Sequence, residues 1–164
     1  MIATTLMAVV VSGVVSAFLL FSKGGIAMGN YERMTSSSRA LLETLGRDVR
    51  AADGATFPTA RRLALSIGGA TVAYEFDPAK KTVTVSRSDS AAPPRALATS
   101  VSSFSFGAYD NKGASVALSS SAANNIKMIQ ARLALAEKAG AKADTTAEFV
   151  SPRFVLRNKA IPAP

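Results

Sequence analysis

The sequence predicts an α+β protein in which a long N-terminal helix packs on an antiparallel β-sheet. Residues 1–22 carry no charged side chain, residues 23–53 repeat apolar side chains about every 3.6 residues, and from Arg62 the apolar period changes to two. The 164 residues suit one compact domain. We therefore divide the chain into a transmembrane or filament-core helix (1–22), its amphipathic continuation (23–53) and a sheet domain (54–164).

Met1–Phe21 has the length and composition of a membrane-spanning helix. At 1.5 Å per residue it extends about 31 Å, close to the roughly 30 Å hydrocarbon core of a bilayer. Its many Ile, Leu, Val and Phe residues favour insertion by roughly a few kcal/mol in spite of several Thr and Ser residues. The alternative, a secretory signal, needs a basic segment before a shorter apolar core, whereas the first basic residue is Lys23.

The charges that flank this span bear on its orientation. Lys23, Arg33 and Arg39 all follow the span, and the positive-inside rule alone places them in the cytoplasm. Either that orientation is right, or a basic segment upstream of Met1 has been lost from the sequence.

Residues 23–53 continue the helix with one apolar face. Charged residues occupy the other face, and Glu43 and Arg47 are four apart, a spacing that supports a helix. Three glycines between residues 24 and 29 weaken the junction with the span, so this joint can bend or unwind. The helix is predicted to end with Gly54 at the C′ position. Its apolar positions are Tyr31, Met34, Leu41, Leu42, Leu45, Val49 and Ala52.

The remaining residues predict an antiparallel meander. The Gly68–Gly69 turn joins the first two strands, and Asp77–Lys80 turns the chain into the third. Residues 126–136 suit either a helix or a strand, and their alternation favours the strand. Pro152 interrupts the last strand, which is typical of an edge or a bulge. The predicted strands are 63–67, 71–76, 82–86, 98–109, 114–118, 126–136 and 148–158, with loops at 88–95, 119–125 and 140–146.

The composition excludes several kinds of chemistry. The chain has no Cys, His or Trp, which removes disulfides, thiolate ligands, the usual general base and the commonest metal ligand. No serine can therefore belong to a conventional triad, and we predict no enzyme, no cofactor and no metal site. The net charge of +8 arises mainly in the sheet domain.

Three charged groups could bind a ligand, and each has a plainer interpretation. Asp110–Gly113 is either half of a calcium loop or a hairpin turn, and the lysine within it favours the turn. Arg61–Arg62 and Lys80–Lys81 suit DNA contact or, as we favour, a solvated face. Glu75 and Asp77 have the spacing of paired carboxylates, but a turn at Asp77 favours solvated charges. The aromatic residues are interpreted as sheet core in preference to a stacking platform: Tyr31, Tyr74, Tyr109, Phe104 and Phe106.

Two stretches of the helix carry a family resemblance, MIATTLMAVVVSGVVSAFLLF and ALLETLGRDVRAADG. They resemble type IV pilin-like proteins, whose apolar helix begins with a Phe-Thr-Leu-Ile-Glu type motif, often continued as Val-Met-Ile-Ala. Met1–Ala3 is similar to that continuation. The resemblance then implies that the leader, its cleavage site and the prepilin methylation motif with the family's glutamate lie upstream. A second register places Thr5–Met7 on the family's Glu-Leu-Met, with Thr5 replacing the glutamate; we favour the first, which also resolves the orientation.

The sheet domain extends the resemblance over nearly the whole chain. Four stretches are similar to successive strands of minor pilins and J-type minor pseudopilins, and Arg153–Asn158 is similar to their closing strand. The resemblance implies a structural subunit of a type IV pilus or a type II secretion pseudopilus. The four stretches are YEFDPAKKTVTVSRS, ALATSVSSFSFGAYD, IKMIQARLALA and TTAEFVSPRFVLRN.

Such a subunit works through its helix, which has to be stable in lipid and then in a bundle of like helices. The expected partners are other pilins or pseudopilins, the bacterial inner membrane and, for a precursor with a leader, prepilin peptidase; nucleic acid is not expected. The domain is expected to be periplasmic or extracytoplasmic, on a single-pass anchor that assembles into a periplasmic or cell-surface filament. The predicted helix-packing residues are Leu6, Ala8, Val10, Ser12, Gly13, Val14, Ser16, Leu19 and Leu20.

The alternative is a single-pass membrane-anchored binding module, including a DNA-binding one, that does not polymerise. A Gly followed by Phe-Thr-Leu-x-Glu upstream of Met1 would favour the filament subunit over this module.

Overall fold

One long helix packs its C-terminal half against two antiparallel sheets, which confirms the predicted α+β class. The structure is a computed structural model that describes residues 2–119, 123–138 and 144–159. The elements are α1 (Ile2–Ala51), β1 (Gly54–Thr59), β2 (Arg62–Ile67), β3 (Ala70–Asp77), β4 (Thr82–Arg87), β5 (Arg95–Ala98), β6 (Val101–Tyr109), β7 (Ser115–Val116), a 3₁₀ turn (Ala123–Asn125), β8 (Met128–Lys138), β9 (Asp144–Val150) and β10 (Phe154–Val155).

The sequence predicted a single antiparallel meander, whereas the described strands form two sheets; in the first sheet β1 to β5 pair in chain order. Gly68 and Gly69, with φ of 57° and 85°, form the turn between β2 and β3, as their positions predicted. The strand β1 was not predicted from the sequence. Among the described strands it pairs only with β2, and this edge position tolerates Pro58, which cannot donate a hydrogen bond to a sheet.

In the second sheet β8 is central, paired with β6 on one side and with β9 and β10 on the other, while β7 pairs with β6. The strand interpretation of residues 126–136 is confirmed, and the alternating apolar side chains of β8 are buried. Val150 pairs with Arg132, and Phe154 pairs with Ile129. The outer strand therefore has one more residue than β8 between these pairs, so Pro152 lies in a bulge on an edge, as predicted.

Several predicted boundaries are wrong. Residues 98–109 are not one strand, because the chain turns at Ser100, whose φ is 59°, and passes from the first sheet to the second. Residues 144–146, predicted as loop, belong to β9, whereas 140–143 lie outside the described residues, as do 120–122 of the predicted linker. Gly54 does not take the C′ position. It starts β1, and the amide of Asn158 donates to the carbonyl of Ala51 at 3.0 Å, capping the helix end instead.

The helix is continuous through Gly24, Gly25 and Gly29, so the expected weak joint is not a break. Tyr31 is a further correction, because it is exposed. Only Asn30 is buried among the described side chains before Met34, and Tyr31 lies about 100° further round the helix, outside the covered stripe. The other predicted positions are buried, apart from the partly buried Leu42: Met34, Leu41, Leu45, Val49 and Ala52.

Aromatic rings join the two sheets over this helix face. Phe57 of β1 lies 5.7 Å from Phe106 of β6, measured between ring centroids, and Phe76 of β3 lies 6.3 Å from Phe104. Phe104 and Phe106 meet edge to face at 4.7 Å. These contacts make one apolar core from both sheets and the C-terminal half of α1.

Candidate functional site

The N-terminal half of α1 projects from the domain and is uncovered. Every residue from 9 to 22 is exposed, and large apolar side chains such as Val14 (64%) and Phe21 (81%) are among the most exposed in the protein. The described apolar stretch that makes this helix long enough to span a membrane is not buried, whereas the core helix of a soluble protein is mostly buried. By length and composition, α1 can cross a membrane.

The predicted helix-packing residues all lie on this projecting half. Val10, Val14, Leu19 and Leu20 are each more than half exposed, and a Cβ built on Gly13 would meet no atom within 4 Å. Leu6 and Ala8 belong to α1, but their side chains lie outside the described part of the structure.

Two serines in this segment have hydroxyl groups that form hydrogen bonds within the helix. The hydroxyl of Ser12 donates to the carbonyl oxygen of Val9, and that of Ser16 donates to the carbonyl oxygen of Ser12, each at 2.8 Å. A hydroxyl bonded within its own helix carries no unsatisfied donor into an apolar environment. Ser12 and Ser16 are therefore compatible with lipid or with a neighbouring helix.

A buried polar contact joins the other half of α1 to the first sheet. The Tyr74 hydroxyl donates to Oδ2 of Asp48 at 2.6 Å, and the Arg47 guanidinium lies 3.4 Å from Oδ1. Burial, together with the hydrogen bond to this carboxylate, raises the pKa of Tyr74 well above its ordinary value. This pair was not predicted from the sequence, although a charged residue, Asp48, on the apolar face beside Val49 could have indicated a buried polar contact.

A groove, here called the α1–β10 groove, separates the helix from the edge strands β9 and β10. Its apolar lining comes from Leu42 of the helix and from Phe149, Pro152 and Phe154 of the edge, and its volume is about 400 Å³. Arg39, Glu43 and Arg50 stand at the helix side, with the Arg50 guanidinium 5.7 Å from the centre of the Phe154 ring. No sequence motif pointed to this groove, because it forms only when the last strands return to the helix.

The basic pairs of the first sheet are partly neutralised by neighbouring carboxylates. Arg62 lies 3.9 Å from Glu75, and Lys80 lies 3.7 Å from Asp77. The backbone N–H groups of Lys80 and Ala79 donate to Asp77, and these hydrogen bonds hold its pKa below the ordinary value. Glu75 and Asp77 thus each lie beside a different cationic side chain.

Asp110 stabilises a hairpin turn. Its Oδ1 accepts the backbone N–H of Lys112 at 2.9 Å and that of Ala114 at 2.8 Å, while Gly113 takes the left-handed conformation with a φ of 84°. One oxygen of the carboxylate is thereby used inside the turn. In the described ranges no group of three or more Asp, Glu, His or Cys residues could hold a metal ion.

The predicted aromatic core is confirmed for Tyr74, Phe104 and Phe106, all of which are buried. Tyr109 is only partly buried. Its ring is covered by the Arg153 guanidinium at 3.9 Å from the centroid, and its hydroxyl donates to Gln130 at 2.9 Å. The ring face is therefore already occupied by an arginine, and stacking by a base would have to displace it.

No protein-family model matches the chain, and no curated protein matches it. The fold and the exposed helix by themselves define an α+β protein with one N-terminal helix that is long and apolar enough to cross a membrane. Everything more specific rests on the chemistry of that helix.

Proposed function

We propose that this chain is a pilin-like filament subunit, a minor pilin or pseudopilin of a type IV pilus or a type II secretion pseudopilus. Its role is structural, without catalysis or a cofactor, and it is held in the inner membrane before assembly. The observation that carries the proposal is that one continuous helix is partly buried in its own domain at its C-terminal end, whereas its uncharged residues 9–22 are all exposed.

The exposed half of α1 requires a covering. A continuous apolar surface of this extent is unfavourable in water and marks a membrane or protein interaction site. Lipid and packed helices of the same kind are similar apolar environments, so one uncharged segment is stable in both. A subunit that moves from a bilayer into a filament needs this property.

The proposal is tested by placing a charge in the middle of the exposed segment. Val14→Asp and Val15→Asp each add a carboxylate that costs about 2.5–3.5 kcal/mol at the centre of a membrane helix. Both positions are more than half exposed and remote from the domain core, so the fold should be unaffected. We expect either that the variants no longer insert into the membrane or that shearing the cells no longer releases filaments. The secretion or uptake activity that depends on the filaments should be lost as well.

Lys80→Ala is the matched control, because it changes one exposed charge of the domain. Its effect on stability should stay within roughly 0.5 kcal/mol, with filaments and activity near normal. Normal insertion and assembly of the Asp variants would refute the filament proposal. A protein that inserts into the membrane but never forms filaments would instead be the anchored binding module. If that module binds DNA, substitution of the basic pairs Arg61–Arg62 and Lys80–Lys81 should make DNA binding weaker and more salt-sensitive.

A further inference from the structure

The strand β9 forms an unprotected edge of the second sheet. It has seven residues and contains neither proline nor lysine, which protect exposed edges in many proteins. The outer strands of the first sheet differ, because β1 contains Pro58 and β5 has only four residues. Among the described strands β9 pairs only with β8, so its other side has no strand beside it.

The ladder shows which backbone groups of β9 point away from β8. The N–H of Ser151 donates to the carbonyl of Ala131 at 2.9 Å, and this pair continues the register of the two strands. Because hydrogen-bonded pairs alternate along an antiparallel ladder, Phe149 also bonds to β8, whereas Glu148 and Val150 direct their N–H and C=O groups outwards. Both of these residues are exposed, so an added strand can reach their backbone groups.

The α1–β10 groove lies beside this edge, on the side of the sheet that faces the helix. Phe149 of β9, Leu42 of α1 and Phe154 of β10 contribute to its apolar lining. The hydroxyl oxygen of Thr35 is buried there and has no hydrogen-bond partner in the described structure. A strand added to β9 would direct every second side chain towards the helix and therefore towards this groove. Main-chain hydrogen bonds and a pocket for alternate side chains are the two requirements for binding by strand addition.

The charges of the groove favour an acidic ligand. Arg39, Glu43 and Arg50 stand along its helix side, and none of the three forms an ion pair with another described residue. Two unpaired cations and one unpaired anion leave this site positive, and the whole chain carries a net charge of +8. A carboxylate beside the groove can pair with either arginine, whereas an added cation would be repelled.

We propose that β9 and the α1–β10 groove bind an extended, acidic segment of a partner protein, which adds a strand to the second sheet and places an apolar side chain in the groove. A second copy of this chain does not fit the site through its own β9. Antiparallel pairing of two β9 strands has a two-fold axis perpendicular to the sheet, so the two α1 helices would run in opposite directions. They could not enter one membrane from the same side. The proposed binding is independent of filament assembly, because it uses only the sheet domain and the C-terminal half of α1.

The probe is a fluorescent peptide of the same length as β9, Thr-Glu-Thr-Leu-Thr-Glu-Thr with blocked ends. In an extended peptide its leucine and both glutamates lie on one face, which suits the groove and the flanking arginines. Fluorescence anisotropy with the full chain in lipid bilayer discs should show saturable binding. A control peptide with lysine in place of both glutamates should bind at least about tenfold more weakly, because it brings cations to a positive site. No binding of the acidic peptide, or equal binding of both peptides, would overturn the proposal.

Backbone N-methylation of the peptide tests strand addition itself. Methyl groups on the third and fifth residues block one edge of the peptide, and methyl groups on the second and fourth residues block the other. One of these two peptides should lose binding and the other should keep it, because only one edge faces β9. Equal effects of the two modifications would show that the peptide does not bind as an added strand.

Two variants of the protein test the same edge. Glu148→Pro removes an outward N–H from the middle of β9, and Glu148→Ala is the matched control that keeps it. Binding of the acidic peptide should weaken about tenfold or more only in the proline variant, with unfolding midpoints showing that both variants are folded. Unchanged binding in a folded proline variant would contradict strand addition. A chain that is dimeric without peptide and dissociates when the peptide is added would show instead that a second copy occupies the edge.

Discussion

At the scale of single residues, the Asp48–Tyr74 contact decides how the helix sits on the first sheet. Two polar groups from distant parts of the chain meet in a mainly apolar core, and a buried carboxylate is tolerated there because it is hydrogen-bonded. The Tyr74 hydroxyl oxygen lies 2.6 Å from Oδ2 of Asp48. Such a contact is directional, so it fixes the rotation and height of α1 more sharply than apolar packing alone.

Tyr74→Phe should destabilise the protein by about 1–3 kcal/mol at pH 8, because Asp48 stays buried and loses a donor. The raised pKa of Tyr74 adds a pH signature. Below about pH 10 the phenol is protonated in both states and its contribution is complete. At higher pH the unfolded state loses the proton first, so stability falls by about 1.4 kcal/mol per pH unit.

Urea unfolding of the full chain in detergent at pH 8 and pH 11 measures both effects. Between pH 8 and pH 11, Tyr74→Phe should lose less stability than the wild type, because it has no phenol at this position to ionise. Tyr31→Phe is the control, since Tyr31 is exposed. An unchanged alkaline loss in Tyr74→Phe would show that the buried phenol does not contribute to it.

At the scale of elements, the contact between α1 and β10 depends on the absence of a side chain. Gly46 is buried, and a Cβ built there would lie 2.6 Å from Cε1 and 2.8 Å from Cζ of Phe154. The glycine lets the edge strand approach the helix and close one end of the core. Helix periodicity predicted the apolar face apart from Tyr31, but it gave no reason for a glycine within that face.

Gly46→Ala should therefore destabilise the protein by about 1–3 kcal/mol through overpacking, despite the gain of up to about 1 kcal/mol in helix propensity. Gly25→Ala is the matched control, because nothing lies within 4 Å of its Cβ position. Thermal unfolding of the two variants should show a lower midpoint only for Gly46→Ala. Equal midpoints would mean that the Phe154 ring moves aside at no cost.

The strands show what local pattern can and cannot predict. The β2–β3 hairpin and β8 were predicted because turn glycines and a period of two act within a few residues. The break at Ser100 and the strand β1 were not predicted, because each depends on hydrogen-bond partners that are distant in the sequence. Val101 donates to Lys81 and Ala136 donates to the carbonyl of Ser100 across the sheet boundary. The groove was missed for the same reason, while the exposed helix was found because its signal is continuous in the sequence.

At the scale of the whole molecule, the covered and uncovered parts of α1 divide near residue 30. The first described buried side chain of the helix is Asn30, and every described residue from 9 to 28 is exposed. The sheets and their core thus depend on the helix only from this point onward. The described side chains N-terminal to Asn30 are not part of the buried core of the domain.

A truncated chain beginning at Gly29 should therefore be soluble, monomeric and folded, because it keeps the buried face of α1 and loses the exposed apolar segment. Gel filtration without detergent and circular dichroism measure size and folding, and the unfolding midpoint should stay close to that of the full chain in detergent. Aggregation of the truncated chain, with the full chain soluble without detergent, would show that the membrane segment is wrongly assigned.

The lateral attachment of α1 has a mechanical consequence. The attachment of the helix to the domain extends over about 22 Å, from Met34 through Leu41 and Leu45 to Val49. The Asp48–Tyr74 hydrogen bond lies near its C-terminal end. Tension applied along the helix axis loads these contacts together, in shear, because none can separate before the others slide. Tension applied sideways would instead peel them one after another, beginning at Met34. A domain attached to its helix in this way therefore resists axial pulling better than sideways pulling.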